Sequence, residues 1–567
     1  MNRIITSLLA LFFFLPFTQQ AQEATTFIGE FSFSSITNKL GQELVAVQEG
    51  DVFVLDEDST FHYSLAAKNN LQASGKWEVK GNYLVLTYTE PTDTTRFYEL
   101  QKLAGGWLIF SENNVTYSFK KSIESTHSLN KFDKTSFNWA HFGRGLLGMF
   151  TLILIAFLFS NNRRKINWAL VLKGLLLQFI LAVAILKVQW VEDAFDLIGK
   201  GFVAVLGFTR EGSLFLFGSI VENTDTFGYI FAFQVLPTVV FFSALTSLLY
   251  YYGILQKIVF AFAWIMKRTL KLSGSESLAA AGNVFLGQTE SPLLIKPYIK
   301  NMTLSELMCL MTGGMATIAG GVLAAYINYL GGPDEVGQLF FARHLITASV
   351  MSAPAAIIAA KILVPETEKF ESNMKISSES VGSNWLDAIA NGTTDGLRLA
   401  INVGAMLLVF TAMIYMFNAI LGDVIGHYTG LNDWVSSVSN GQYEMLSFQF
   451  ILGYALAPLT WLLGVGSEDL TIVGQLLGEK TILNEFYAYV TMGDLIKANA
   501  FANQRSVIIA TYILCGFANF ASIGIQIGGI SALAPSRRSD LSKLGVRALI
   551  GGTLASLFTA VIVGMLI

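Results

Sequence analysis

The stretch GNVFLGQTESP at residues 282–292 decides the fold, because it places polar side chains inside an otherwise apolar segment. Its polar members are Asn283, Gln288, Thr289 and Glu290. A carboxylate at membrane depth costs about 2.5–3.5 kcal/mol on insertion scales, which disfavours an unpaired structural role. The pattern predicts a re-entrant hairpin over about 274–300 whose turn faces a ligand. The alternative is a capping or loop carboxylate in cytoplasmic water.

The same design occurs again near the carboxyl end of the chain. GEKTILNEFYAY at 478–489 puts Asn484 and Glu485 into a second apolar stretch, which predicts a second hairpin over about 446–495. Because the first hairpin enters from the cytoplasm after span three and the second from outside after span six, the two units have opposite orientation. This inverted repeat is typical of transporters and predicts a shared binding site at the midplane.

Each hairpin is followed by an apolar run rich in glycine. These runs are GGMATIAGGVL at 313–323 and CGFANFASIGIQIGG at 515–529. A membrane helix of this composition can unwind, and the carbonyl oxygens it exposes, with the Asn283 amide and the Thr317 hydroxyl, can replace the hydration shell of a sodium ion. The alternative is that the small residues only allow close helix packing.

The composition of the whole chain supports a membrane protein. Of its 567 residues 53% are hydrophobic and 14% are charged, and the mean hydropathy is +0.52, which is too apolar for a soluble enzyme. The net charge of −4 comes without a large basic block, so nucleic acid is excluded as a partner. Two cysteines in apolar runs and five scattered histidines predict neither a disulfide framework nor a metal centre.

Eight apolar runs are long enough to cross about 30 Å of hydrocarbon. They lie near 144–160, 167–188, 230–253, 306–330, 340–363, 397–421, 505–530 and 545–567. Clusters of positive charge follow the first, third and seventh and fall on one side, which the positive-inside rule makes cytoplasmic: Arg163, Arg164 and Lys165; Lys267, Arg268 and Lys271; Arg537, Arg538 and Lys543. Between spans two and three, apolar residues at helical spacing predict an interfacial helix: Val191, Ala194, Phe195, Ile198, Phe202 and Val205.

The amino-terminal part of the chain has a different composition. Residues 1–22 have the three-part pattern of a secretory signal peptide, with an uncleaved membrane anchor as the alternative. Residues 23–125 alternate in period two between turn signals, which predicts a small all-β domain in the periplasm. Its GKWEVKGNYLVL hairpin resembles small lipocalin-like barrels, and we interpret it as an accessory module. A linker at 126–143 then precedes the membrane domain, 144–567.

Five motifs of the membrane domain resemble the concentrative nucleoside transporters along nearly all of 144–567. They are GNVFLGQTESPLLIKPYI, ATIAGGVLAAY, GEKTILNEFYAY, GFANFASIGIQIGG and the tail SALAPSRRSD, of which the GxKxxxNEF pattern at 478–486 is particularly specific. The resemblance implies a homotrimer in the lipid bilayer, with a central scaffold and a mobile transport domain that moves like an elevator. It covers neither the signal peptide nor the β-domain.

The resemblance also implies roles for single residues. Gln288, Thr289 and Glu290 match positions at the nucleobase, with Val322 packing near it, and Glu485, Asn519 and Ser522 match positions at the ribose, with Phe517 lining the same pocket. The sodium position matches the side chains of Asn283 and Thr317 and the carbonyl groups of Leu286 and Ile318. Thr317 stands where some relatives have serine, and either hydroxyl can bind the ion. Coupling to protons, with Glu290 or Glu485 titrating, stays an alternative.

These observations together predict a sodium-driven nucleoside importer of a bacterial inner membrane, and not an enzyme. One rival is a membrane receptor in which the β-domain detects a ligand and the membrane part signals. A second is a membrane hydrolase that uses Glu290 and Glu485, which lacks a metal, a nucleophile–base pair and a nearby histidine. Preference between purines and pyrimidines stays open.

Overall fold

The computed structural model describes residues 138–222, 230–332, 335–368 and 382–567, together with most of 29–121. The gaps in that last range are 39–42, 46, 48–50, 57–58, 66–70, 81–82, 91, 105–106 and 113–114. The predicted signal peptide and most of the predicted linker therefore lie outside the described residues. The chain forms two compact units, Met1–Ser125 and Thr126–Ile567.

The described part of the first unit is an antiparallel β-barrel. Its strands are β1 (Gly29–Asn38), β2 (Glu43–Val45), β3 (Val52–Leu55), β4 (Thr60–Leu65), β5 (Leu71–Lys80), β6 (Tyr83–Glu90), β7 (Thr94–Ala104), β8 (Trp107–Glu112) and β9 (Val115–Lys121). Strand β1 pairs with β3 on one side and with β9 on the other, which closes eight strands, while the short β2 extends the edge of β1. The predicted all-β domain is confirmed.

The register of β5 and β6 explains why this part of the barrel folds. Trp77 lies opposite Leu86, and Val79 lies opposite Leu84. Because side chains alternate along a strand, all four point to the same face of the sheet. Trp77, Leu84 and Leu86 are buried, whereas Thr87 on the other face of β6 is exposed. The alternation seen in the sequence is the alternation between the barrel interior and the surface.

The second unit is helical. Its main helices are α1 (Trp139–Leu158), α2 (Trp168–Lys187), α3 (Gln189–Phe217), α4 (Leu236–Tyr251), α5 (Ile254–Leu270), α6 (Gly274–Asn283), α7 (Leu304–Ala316), α8 (Gly320–Gly331), α9 (Glu335–Leu363), α10 (Trp385–Asn418), α11 (Phe448–Leu462), α12 (Leu470–Ile482), α13 (Glu485–Lys497), α14 (Gln504–Leu514), α15 (Phe520–Leu533) and α16 (Arg538–Leu566). Seven helical segments among the described residues are long and apolar enough to cross a membrane. The predicted helical membrane protein is confirmed.

The same order of elements occurs twice in this unit. The first repeat, residues 254–363, consists of α5, a hairpin, the broken helix α7–α8 and the long helix α9. The second repeat, residues 448–566, consists of α11, a hairpin, the broken helix α14–α15 and the long helix α16. The seventh predicted span, 505–530, is the broken helix of the second repeat. Both glycine-rich runs therefore interrupt a helix, as their composition predicts.

Three predicted boundaries differ from the structure. Helix α1 begins at Trp139, so the last residues of the predicted linker belong to the first span. The polar turn of the second hairpin joins α12 and α13, whereas the first part of the predicted range 446–495 forms the separate helix α11, whose counterpart in the first repeat is α5. The predicted interfacial segment is part of α3, which is 29 residues long. Apolar periodicity does not mark these ends because it continues across them.

Burial separates the repeats from the helices outside them. In the most apolar 18-residue windows, 83% of the α7–α8 residues, 89% of α9 and 83% of the segment that contains α16 are buried. The corresponding values are 22% for α1, 28% for α2 and 11% for the segment that contains α10. Helices α7–α8, α9 and α16 therefore form the interior of the unit. Helices α1, α2 and α10, and also the segment that contains α4 with a value of 28%, leave most of their apolar surface outside it.

Small residues hold α10 against α4. A Cβ atom at Gly396 would lie 2.7 Å from the Cβ of Ser243 and 2.8 Å from the Cα of Val240, and one at Gly392 would lie 2.5 Å from the Oγ of Ser247. Glycines one turn apart thus let the two backbones approach closely, which is a common basis of helix packing in membranes. The exposed face of α10 lies outside this contact.

Candidate functional site

The breaks in the two broken helices touch each other at the centre of the unit. Helix α7 ends at Ala316 and helix α14 ends at Leu514. Gly516, in the second break, has φ +117°, and a Cβ atom there would lie 2.7 Å from both the carbonyl carbon and the carbonyl oxygen of Ala316. Only glycine allows both this backbone conformation and this approach. The unpaired ends of four half-helices therefore meet in one place.

A chain of hydrogen bonds connects the two repeats at this place. The Nε2 atom of Gln288, in the turn of the first hairpin, donates to the Oγ of Ser522 at 3.2 Å. The Nδ2 atom of Asn519 donates to the Oε2 of Glu485 at 2.8 Å. Asn519 also caps α15, since its Oδ1 accepts from the backbone N–H of Ser522 at 2.9 Å. Four residues predicted to contact the substrate thus lie in one network.

The two predicted carboxylates differ in their exposure. Glu485 is the first residue of α13 and is only 6% exposed. Glu290 and its neighbour Thr289 are exposed, and one oxygen of the Glu290 carboxylate accepts from the backbone N–H of Gly287. The methyl group of Thr289 faces α15, since a Cβ atom at Gly529 would lie 3.0 Å from it. The apolar candidates Val322 and Phe517 are both buried.

Two residues of the network were not predicted. The hydroxyl group of Tyr326, on α8, donates to the Oε1 of Glu485 at 3.3 Å, so the buried carboxylate has a partner from each repeat. Gln526 lies one turn after Ser522 and donates to the carbonyl oxygen of Met311 at 3.0 Å. The sequence could have pointed to Gln526, because it lies four residues after Ser522 and therefore on the same face of the helix. It could not have pointed to Tyr326, because an aromatic residue is ordinary in an apolar helix.

Two buried amide oxygens of this network lack a hydrogen-bond partner within the described part of the chain. They belong to Gln288 and Gln526, and a Cβ atom at Gly314 would lie close to both side chains. A buried amide oxygen without a partner is costly unless something binds it. The site can therefore accept hydrogen bonds from a ligand through these oxygens and through Glu485, and it can donate through the second N–H of the Asn519 amide.

A second polar place lies in the first repeat, where the turn of hairpin 274–300 meets the break after α7. The backbone N–H of Gly320 donates to the carbonyl oxygen of Phe285 at 3.4 Å. Asn283 is 1% exposed, its amide packs against Gly313, and its Oδ1 has no partner among the described residues. The Thr317 hydroxyl donates to the Gly313 carbonyl at 2.9 Å and keeps its lone pairs for another partner.

The predicted backbone ligands, Leu286 and Ile318, lie on the two sides of this contact. Leu286 is in the hairpin turn and Ile318 is in the helix break, and both are buried. The described residues contain no group of three or more His, Cys, Asp or Glu side chains that could hold a metal. Neutral amide, hydroxyl and carbonyl oxygens are the ligands that fit a hard monovalent cation such as sodium, and the Asn283 oxygen meets that requirement.

Two hairpins, two broken helices and buried polar groups where the breaks meet define a class of protein. This combination, in repeats of one element order, is the architecture of secondary transporters. Comparison with protein families identifies which family of transporters the chain matches. The N-terminal and C-terminal models of the Na⁺-dependent nucleoside transporters match residues 147–220 and 344–564, and a "nucleoside recognition" gate model matches 232–333. The chain belongs to the Na⁺-dependent nucleoside transporter family.

Individual relatives agree with this assignment. The chain is 42% identical over 434 residues to solute carrier family 28 member 3 of Eptatretus stoutii, covering 74% of this chain and 60% of that one. It is 40% identical over 426 residues to an uncharacterized transporter of Haemophilus influenzae, covering 74% of this chain and 97% of that one. The chain thus spans about 60% of the length of the first of these relatives.

Solved structures show the same fold. CNTnw in an inward-facing, substrate-bound state has a TM-score of 0.67 at 38% identity and covers 75% of this chain and 98% of its own. A CNTnw variant in an outward-facing state has a TM-score of 0.68 at 38% identity and covers 76% of this chain and 98% of its own. The three family models match residues between 147 and 564, and the β-barrel lies outside them.

Proposed function

We propose that this protein is a sodium-coupled symporter that imports nucleosides across a bacterial inner membrane. The observation that carries the proposal is the polar network of Gln288, Ser522, Asn519 and Glu485, which joins both repeats inside an apolar core. Such a network is expensive in a membrane unless a polar ligand uses it.

The ribose of the nucleoside binds at Glu485, Asn519 and Ser522. A vicinal diol carries two hydroxyl groups, each of which donates and accepts. The Glu485 carboxylate accepts from one hydroxyl, and Asn519 accepts from or donates to the other. Tyr326 holds the carboxylate in position from the opposite repeat. A phosphate group is rejected, since Glu290 and Glu485 would repel its charge in a site of low dielectric constant.

The nucleobase binds at the turn of the first hairpin. Gln288, Thr289 and Glu290 follow each other there, and their amide, hydroxyl and carboxylate groups match the donors and acceptors at the edge of a base. The apolar side chain of Val322 packs near the base, and Phe517 lines the same pocket beside the ribose. The exposure of Thr289 and Glu290 supports this assignment, because a substrate must reach them from solution.

Sodium binds at Asn283 and Thr317, with the carbonyl groups of Leu286 and Ile318 completing its shell. The Oδ1 of Asn283, which has no hydrogen-bond partner among the described residues, supports this site, and sodium is carried as a substrate together with the nucleoside. The driving force is sufficient for uphill transport. A membrane potential of 100 mV and a tenfold sodium gradient together supply about 3.7 kcal/mol per ion, which corresponds to a few-hundred-fold accumulation of a neutral nucleoside.

Transport proceeds by an elevator movement of the repeats against α1, α2, α4 and α10. The support is the contrast in burial between the two groups, together with the inward-facing and outward-facing structures of CNTnw. The largely exposed α10 faces lipid and two further copies in a homotrimer. The orientation follows from the positive clusters at Arg163, Lys267 and Arg537, which place the β-barrel, exported by a signal peptide, in the periplasm.

Uptake of labelled uridine and adenosine into proteoliposomes tests the proposal. We expect accumulation with external sodium and little when choline replaces it, with the same ratio at two external pH values. Uptake that persists in choline and rises with external acidity would establish proton coupling instead. A protein that binds nucleosides but accumulates neither would be a receptor and not a transporter.

A further inference from the structure

The interior of the β-barrel contains a cavity of about 480 Å³. This volume lies within the range of roughly 300–1,000 Å³ that is typical of small-molecule sites. Eight-stranded barrels are wide enough either to be filled by their own side chains or to hold one small ligand. The described side chains of this barrel leave such a space open, and neither the nucleoside site nor the sodium site involves it.

Aromatic residues make up half of the described residues that line the cavity. Sixteen residues line the cavity, and eight of them are phenylalanine or tyrosine. The ring centroids of Phe33 and Phe119 are 4.6 Å apart, those of Phe53 and Phe119 5.0 Å, and those of Phe110 and Phe119 4.9 Å, all with tilted planes. Tilted rings present both faces and edges, and these surfaces pack well against another flat ring.

The polar groups of the cavity are hydrogen-bond donors concentrated around one tyrosine. The hydroxyl groups of Tyr88 and Tyr98 lie 2.8 Å apart, and the Tyr63 hydroxyl also bonds to Tyr88. Three hydroxyl groups in a row carry three protons but make only two bonds with each other, so one O–H is directed outside the row. Burial raises the pKa of all three tyrosines, which keeps them as neutral donors at physiological pH.

A cation lies beside these hydroxyl groups. The guanidinium carbon of Arg96 is 6.0 Å from the centroid of the Tyr88 ring, and its Nη1 donates to Glu112 at 3.2 Å. That bond uses one of five N–H donors. Arg96 and the neighbouring lining residues Thr92 and Thr94 are exposed, so they mark the opening of the cavity. The cavity therefore combines an apolar aromatic body with a donor-rich mouth, where the guanidinium group of Arg96, although paired with Glu112, keeps further N–H donors.

We propose that the β-barrel binds a small, flat, apolar molecule that carries a carboxylate, with the molecule's apolar body against the aromatic wall of the cavity and its carboxylate at Arg96, Tyr88 and Tyr98. The carboxylate supplies acceptors for the hydroxyl proton and for the guanidinium group. A nucleoside is a poor occupant, because the donors and acceptors at the edge of its base would face the phenylalanine rings without partners.

Calorimetric titration of the full chain in lipid nanodiscs tests this assignment. The probes are 2-naphthoate and its neutral analogue 2-naphthalenemethanol, and empty nanodiscs provide the blank for partition into lipid. We expect one saturable site per chain for naphthoate and binding of the alcohol that is roughly tenfold or more weaker. Absence of a saturable naphthoate signal, or equal affinity for the two probes, overturns the proposal.

Three variants locate the site. Arg96→Gln should weaken naphthoate about 10- to 100-fold and leave the alcohol almost unchanged, because only the carboxylate uses the charge. Thr94→Trp places a large side chain at the cavity opening and should abolish binding of both probes. Tyr83→Phe is the matched control, since Tyr83 lies on the same strand as Tyr88 but is 45% exposed. Unchanged naphthoate binding in both Arg96→Gln and Thr94→Trp would overturn the assignment to this cavity.

Discussion

The two repeats of the membrane unit share one order of helices, but the break in the broken helix is filled differently in each. In the first repeat the side chains at the break are neutral, and the Asn283 oxygen has no partner among the described residues. In the second repeat Lys480 is completely buried, and its ammonium group donates to the carbonyl oxygen of Ile513 at 2.8 Å and to Ser556 at 3.0 Å. Ser556 in turn donates to the carbonyl oxygen of Cys515 at 2.6 Å.

This difference has an electrostatic meaning. The last carbonyl groups of a helix carry partial negative charge and lack partners within the helix. In the second repeat the side chain of Lys480, which is covalently attached and cannot leave, donates to these carbonyl groups directly and through Ser556. In the first repeat the proposed sodium ion performs the same task and can leave. The second repeat thus carries its positively charged group covalently, whereas the first repeat responds to an ion that can bind and leave.

The carboxylates at the turns of the two hairpins also differ, both in burial and in hydrogen-bond partners. Glu485 is buried and receives hydrogen bonds from Tyr326 and Asn519, whereas Glu290 is exposed and accepts from the adjacent backbone. Changing a buried carboxylate that accepts hydrogen bonds from two sides costs more free energy than changing an exposed one. The comparison between the repeats therefore predicts unequal effects of equal substitutions.

The largest effect is expected for Glu485→Gln. It removes the charge from a buried hydrogen-bonding carboxylate, and such bonds contribute about 1.5–3 kcal/mol, so kcat/KM for uridine should fall roughly 10- to 150-fold. Glu290→Gln is the matched variant in the first repeat and should have the smaller effect. Initial uptake rates at several uridine concentrations measure both. An equal or larger loss in Glu290→Gln would remove the proposed difference between the two carboxylates.

Lys480→Met tests the fixed cation of the second repeat. The apolar side chain has a similar length but leaves the Ile513 carbonyl without its donor, which costs about 1–3 kcal/mol of stability. We expect a lower thermal unfolding temperature in nanodiscs together with reduced uptake at every sodium concentration. Lys497→Met, on the same hairpin but at a lysine that is 54% exposed, is the control and should change stability little. Wild-type stability of Lys480→Met would show that the break does not need a cation.

Asn283→Ala tests the mobile cation of the first repeat. Loss of one neutral ligand oxygen should raise the sodium concentration for half-maximal uptake about 5- to 15-fold, while the uridine constant at saturating sodium changes little. Asn519→Ala, at the proposed substrate site of the second repeat, is the comparison variant and should show the reverse pattern. Sodium activation curves at fixed uridine, and uridine curves at saturating sodium, distinguish them. A normal sodium response in Asn283→Ala would discredit the ion site.

Tyr326→Phe is expected to have the smallest effect. It removes one neutral hydroxyl donor to Glu485 and keeps the ring, whose centroid lies 4.3 Å from that of Tyr489. The KM for uridine should rise about 2- to 12-fold, with no change in the sodium constant. A change in the sodium concentration for half-maximal uptake, with an unchanged KM for uridine, would mean that the hydrogen bond between Tyr326 and Glu485 affects sodium binding and not sugar binding.

The pattern of residues predicted the hairpins and the broken helices well, because polar side chains and glycines are unusual inside apolar segments. It predicted Glu485, Asn519 and Gln288 as site residues for the same reason. It gave Lys480 no role, although the residue lies in the specific motif at 478–486, because helical spacing does not show which carbonyl groups a long side chain reaches. Tyr326 was missed, since a single hydroxyl group hardly changes the apolar character of α8.

By itself, the amino-acid sequence determined the class of the molecule: a barrel-forming amino-terminal segment, membrane helices, and two interrupted segments that need polar partners. These features depend on composition and periodicity, which local physical chemistry converts directly into strands, helices and breaks. Only the tertiary structure decided that the two breaks touch, that Lys480 fills one of them while Asn283 leaves an oxygen in the other, and that β1 pairs with β9 around a cavity. Contacts between residues far apart in the chain depend on packing, which no local pattern contains.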